Sequence, residues 1–102
     1  MGTRATIQFK DEYEEYYVYA GSSGSPENVI PDIESVIKKK KDSWSGSECG
    51  SLVSCFLGET YDTDRRIPFY EMTAGWHGDE SYMYLVEWNA DGKHQWTVRI
   101  ER

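Results

Sequence analysis

The chain has 102 residues, enough for one domain with one modest core. Its 38% hydrophobic content leans on eight tyrosines and four tryptophans, while 28% of its residues are charged and the formal net charge is -7. That balance argues against the basic face that nucleic acids and anionic membranes require, and no apolar run reaches the roughly 20 residues that cross a bilayer.

Ala5-Thr6-Ile7-Gln8-Phe9-Lys10 alternates apolar and polar residues, which predicts a strand with Ala5, Ile7 and Phe9 on one face. After an acidic turn at Asp11 to Glu14, Glu15 to Ala20 returns as a second strand carrying Tyr16, Tyr17 and Tyr19. Gly21 to Pro26 is a loop. The next stretch predicts a helix with Val29, Ile30, Ile33, Val36 and Ile37 as its apolar stripe. Asn28 is its expected cap and Pro31 falls in its first turn. Lys38 to Lys41 close it as a solvated end, where the helix dipole favours cations.

Asp42 to Gly46 is a second loop, and Ser47 is placed to cap a second helix through Glu48 to about Leu57. That helix would bury Cys49, Leu52, Val53 and Phe56 and stop at Gly58, with close packing as the reason for Gly50. Helical rise separates Cys49 from Cys55 by about 9 Å, too far for a disulfide, so both are expected to be buried free thiols. Glu59 to Arg66 is turn-like, and Ile67 to Thr73 is a third strand that Pro68 confines to an edge. A glycine-punctuated loop, Ala74 to Asp79, leads into a hairpin of Ser81 to Trp88 and Lys93 to Glu101, turning at Asn89 to Gly92. Tyr82, Tyr84, Val86 and Trp88 share one face of its first strand, and Trp96, Val98 and Ile100 alternate with polar residues on the second.

These elements predict a single α+β domain over residues 1–102. Its antiparallel sheet of four or five strands would be built from the N- and C-terminal hairpins, with two helices packed on one face.

Chemistry-bearing clusters are few. His77, Asp79 and Glu80 lie together, but a metal site needs three or more converging ligands and the only other histidine is His94. The expectation is a structural loop in which Asp79 accepts backbone N–H bonds and His77 packs near Trp76. The glycine-rich stretches Gly21 to Gly24 and Ser45-Gly46-Ser47 lack the lysine and spacing of a phosphate loop. No catalytic residue, metal ligand or cofactor is therefore expected, and the chain does not read as an enzyme. Tyr16, Tyr17, Tyr19, Trp76, Tyr82, Tyr84, Trp88 and Trp96 are the expected interaction surface, because exposed tyrosine and tryptophan are enriched at interfaces. The opposing expectation is that the helices cover most of these rings.

Two stretches resemble a group of small proteins of bacteriophages and prophage-bearing bacteria. The first runs from Tyr19 through Gly24, Pro26, Glu27, Val29, Pro31 and Asp32 to Ile33. The second is His77-Gly78-Asp79 followed by Tyr82 and Tyr84. This chain departs from the group's pattern at Ser23 (an acidic position), Ser25 (aromatic), Asn28 (glycine) and Glu80 (apolar). The resemblance implies a phage-related origin and no particular biochemical activity; Gly24, Pro26, Glu27, His77, Gly78 and Asp79 are expected to be structural loop residues.

The resulting expectation is a non-enzymatic protein-interaction module in the cytoplasm. It would act as a monomer or weak homodimer on an unidentified protein partner, without nucleic acid or membrane. The alternatives are an acidic nucleic-acid mimic that inhibits a DNA-binding protein and a small metal-dependent hydrolase centred on His77 and Asp79.

Overall fold

The computed structural model describes residues 2–43, 49–89 and 95–101 of the chain. Its elements are β1 (Ala5–Lys10), β2 (Glu15–Ala20), α1 (Pro26–Ser43), α2 (Cys49–Glu59), β3 (Tyr61–Asp62), β4 (Ile67–Pro68), β5 (Glu71–Thr73), β6 (Tyr82–Asn89) and β7 (Gln95–Ile100). The expected Ser47 cap, the Ala90 to Gly92 turn residues and His94 lie outside the described residues. The α+β class is as expected, and both terminal hairpins form, β1 with β2 and β6 with β7.

The sheet itself is mixed rather than purely antiparallel. Its order is β5-β2-β1-β6-β7, and β1 pairs parallel with β6, Ala5 opposite Tyr82 and Phe9 opposite Val86. The two hairpins meet through their first strands, and those two strands run the same way. Alternation along a strand says which side chains share a face and nothing about which strand lies alongside. The expected strand Ile67–Thr73 also divides. Ile67–Pro68 pairs with Tyr61–Asp62 in a separate two-stranded ribbon, and only Glu71–Thr73 joins the main sheet, as an edge beside β2. Proline at Pro68 has no N–H to give a ladder, which suits it to this short ribbon.

Cross-strand register puts Ala5, Ile7, Phe9, Val18, Ala20, Tyr84 and Val86 on one face, and all seven are buried. The helices cover that face. From α1 come Val29, Ile33 and Val36, and from α2 come Cys49, Leu52, Val53 and Phe56, all in the same core cluster. Phe56 meets Phe9 with ring centroids 5.3 Å apart and Tyr70 at 4.6 Å.

The first helix begins earlier than the spacing of its stripe predicts. Ser25, not Asn28, stands at its start: Val29 N–H donates to the Ser25 carbonyl at 3.0 Å and Asn28 Nδ2 to Ser25 Oγ at 3.1 Å. Pro26 then takes the first helical position, where a missing N–H costs nothing. Pro31 consequently lies in the second turn, on the exposed side of the helix, where water can serve the carbonyl it leaves unbonded.

The second helix buries the four residues expected of it but continues through Gly58 to Glu59. Its N-terminus is met by the β1–β2 turn: Cys49 N–H donates to Asp11 Oδ2 at 3.3 Å and Gly50 N–H to Glu14 Oε2 at 3.2 Å. Carboxylates there satisfy otherwise orphaned donors and suit the helix dipole. Close packing does not explain Gly50, since a Cβ there would sit 3.6 Å or more from its neighbours. Both cysteines are free, with Cys49 buried and Cys55 half-buried. Burial, with Asp11 and Glu14 adding to it, pushes the Cys49 thiol up to about 12, so this helix end yields no activated thiolate.

Candidate functional site: the sheet face away from the helices

The opposite face of the sheet carries Thr6, Tyr17 and Tyr19, by the same register that points Ile7 and Val18 at the helices. It is covered in part by one segment, residues 74–81, which links β5 to β6. These strands are parallel with β2 and β1 between them, so the segment crosses three strand spacings, roughly 14 Å. It also steps back three residues along the sheet, from the level of Leu85 to Tyr82, roughly 10 Å. Eight residues reach that distance comfortably, and the contacts that hold the segment against the face are those of Trp76, His77 and Glu80.

One carboxylate organises the crossing. Glu80 is 3% exposed and accepts hydrogen bonds from Thr6 Oγ1, from His77 N–H at 2.9 Å and from Gly78 N–H at 2.7 Å. Burial alone would push its carboxyl up, but these donors outweigh burial and hold it below the usual carboxylate value. The expectation gave this bracing role to Asp79; the structure gives it to Glu80. Asp79 is exposed and instead accepts from Arg4 Nη1 at 3.3 Å and from the Tyr19 hydroxyl at 3.4 Å. Gly78 has φ +94°, a backbone conformation that a side chain resists. Beyond Glu80, Ser81 N–H donates to the Arg4 carbonyl at 2.9 Å, fastening the segment to the start of β1.

Held this way, the segment lays two rings against two tyrosines. Trp76 meets Tyr17 edge-on, centroids 5.3 Å apart and planes at 77°. His77 stacks flat on Tyr19 at 3.7 Å and 8°, and its Nε2 shares a hydrogen bond with Thr73 Oγ1 at 2.9 Å. Trp76 and His77 are exposed, and Tyr17 and Tyr19 half-buried. Burial raises both phenols above their ordinary value, helped by Glu15 at Tyr17 and mainly by Asp79 at Tyr19, so both stay protonated donors.

The expected eight-residue aromatic surface is therefore divided between two faces. Tyr17, Tyr19 and Trp76 belong to the open face. Tyr16, Tyr82 and Trp96 are partly buried against the core, Tyr84 is fully buried, and half-buried Trp88 pairs edge-on with Trp96 at 5.5 Å.

The two stretches behind the phage-group resemblance, some 60 residues apart, touch one another. Tyr19 meets His77 and Asp79, and the Tyr84 hydroxyl donates to the Gly24 carbonyl at 2.7 Å. Gly24 itself is fixed by space: a Cβ would come within 2.6 Å of Ala5 Cβ and 2.9 Å of the Thr3 carbonyl oxygen. Pro26 and Glu27 open α1, where Glu27 Oε1 accepts from the Ser25 hydroxyl at 3.2 Å. Sequence reasoning passed over Glu80, although a signal was present. It lies beside His77 and Asp79 directly before a strand, and a carboxylate at a buried position must be fully hydrogen-bonded.

Among the described residues, no group of three or more His, Cys, Asp or Glu is arranged to hold a metal ion, and no helix is long and apolar enough to cross a membrane. Comparison with protein-family models, with curated proteins and with solved structures gives no match to this chain.

Proposed function

We propose that this chain is a non-enzymatic protein-interaction module, a phage- or prophage-derived accessory protein that docks its partner on the sheet face away from the helices. The observation that carries the reading is the pair of ring contacts, Tyr17 with Trp76 and Tyr19 with His77, side by side on that face. Tyrosine and tryptophan with an apolar body and a wet polar tip are the residues that dominate interface energetics. Here the segment that carries Trp76 and His77 is tied by its backbone to Glu80, which lowers the ordering cost of binding. The phage-related origin rests on the two resembling stretches.

Affinity capture from a bacterial lysate tests the reading, using the wild-type chain and a Trp76→Ala variant checked for folding by circular dichroism. The reading predicts a partner that the wild type retains across two salt concentrations and the variant loses. Equal capture by both proteins would remove the open face as the docking surface.

A further inference from the structure

A second surface lies where the β3–β4 ribbon meets the ends of the helices. The ribbon leaves large apolar side chains in solvent: Tyr61 is 42% exposed, Ile67 50% and Phe69, just beyond it, 38%. Three such residues concentrated in one short excursion of the chain mark a surface that the core does not use.

Phe69 stands between two depressions. The larger, about 390 Å³, is lined by Ser23, Asn28, Asp32, Glu59, Thr60 and Phe69; of its two carboxylates, Glu59 is already paired with Lys39 and Asp32 has no cation partner among the described residues. The smaller, about 270 Å³, carries Asp62 and Glu71 with one cation, Arg65, whose Nε lies 3.8 Å from Asp62 Oδ2. In the larger depression Asp32 is oriented from below. The buried Tyr70 hydroxyl donates to Asp32 Oδ2 at 3.0 Å, and burial together with that carboxylate raises the phenol far above its ordinary value. Tyr70 thus keeps its proton, and Asp32 stays an oriented acceptor. Glu59, at the end of α2, is steadied by Lys39 of α1 at 2.6 Å.

A carboxylate-lined depression with an aromatic ring in its wall suits a cation on an alkyl stem: the charge meets a carboxylate and the stem lies on the ring. The apolar side chains alongside suit an extended chain more than an isolated cation, and the net charge of -7 favours a basic partner. We infer that the Phe69 surface docks a basic, extended segment of a partner protein. A lysine or arginine side chain occupies the depression with its charge at Asp32 and its stem against Phe69. This inference rests on the reading of the chain as an interaction module and names the chemistry of the partner at a second contact.

The test is fluorescence anisotropy of a labelled hexalysine peptide with the full chain. Binding should weaken at least about threefold in Phe69→Leu, which keeps the apolar bulk and removes the ring, as expected for an exposed cation–π contact. Asp32→Asn, which keeps an acceptor for Tyr70, should weaken it by at least as much. Glu12→Gln and Glu34→Gln, which remove exposed carboxylates elsewhere, should change it less than about twofold. Amide shifts on titration should concentrate at Ser23, Asn28, Thr60 and Phe69. No binding, or equal weakening in all four variants, would overturn the inference. Loss of binding in Trp76→Ala with retention in Phe69→Leu would also overturn it, while leaving the interaction-module reading intact.

Discussion

The two faces of the sheet are held in different ways. The helix side is a continuous apolar contact, with Phe9, Phe56, Ile7, Ile33 and Val86 at 1% exposure or less. The open side depends on a single eight-residue segment, held by one buried carboxylate, two ring contacts and a surface ion pair. Apolar burial is spread over many residues, so it tolerates change gradually. The polar arrangement is concentrated in Glu80, so it should fail as a unit. The face expected to meet a partner is thus the one whose shape rests on the fewest groups.

The largest expected effect lies on the helix side. Phe56→Ala should destabilise the protein by about 3–5 kcal/mol in denaturant unfolding, because it removes a ring packed on both Phe9 and Tyr70. A change below about 1 kcal/mol would mean the helices do not carry the core. On the open side, Glu80→Ala should cost roughly 2–3 kcal/mol, since the His77 and Gly78 N–H groups and the Thr6 hydroxyl lose a charged acceptor. This contribution is pH-dependent. The folded Glu80 carboxyl lies below its ordinary value of 4.5, so its stabilisation is complete above that pH and is lost as pH falls through the folded value. The stability gap between wild type and Glu80→Gln should accordingly shrink on acidification; a gap that widens would contradict the assignment.

Gly78→Ala should cost about 1–2 kcal/mol in the same unfolding experiment, because an alanine resists φ +94°. The smallest effect is expected from Asp79→Ala. Its pair with Arg4 is half exposed on both sides, so the loss should stay below about 1 kcal/mol. An Asp79 effect larger than that of Glu80 would reverse the roles given to the two carboxylates.

Much of the helix side was legible in the sequence. Period-two alternation at Ala5, Ile7 and Phe9 and the helical spacing of Cys49, Leu52, Val53 and Phe56 each identified buried faces correctly. The parallel β1–β6 pairing was not legible, because it joins residues some 77 positions apart through no local signal. The start of α1 was misplaced although Ser25-Pro26 is a recognisable cap and first position, because the apolar stripe begins only at Val29. The open face was read least well. Its organising residue, Glu80, acts through backbone N–H groups of its own loop and a hydroxyl 74 residues away, and neither shows in a hydropathy pattern.

The central claim is that Glu80 fixes the segment that shapes the open face, and amide hydrogen exchange at His77 and Gly78 tests it most directly. In the wild type both amides should be protected by the Glu80 carboxylate. In Glu80→Ala both should exchange at close to the rate of an exposed loop, while amides of α2 remain protected. Unchanged protection of His77 and Gly78 in the variant would contradict the account.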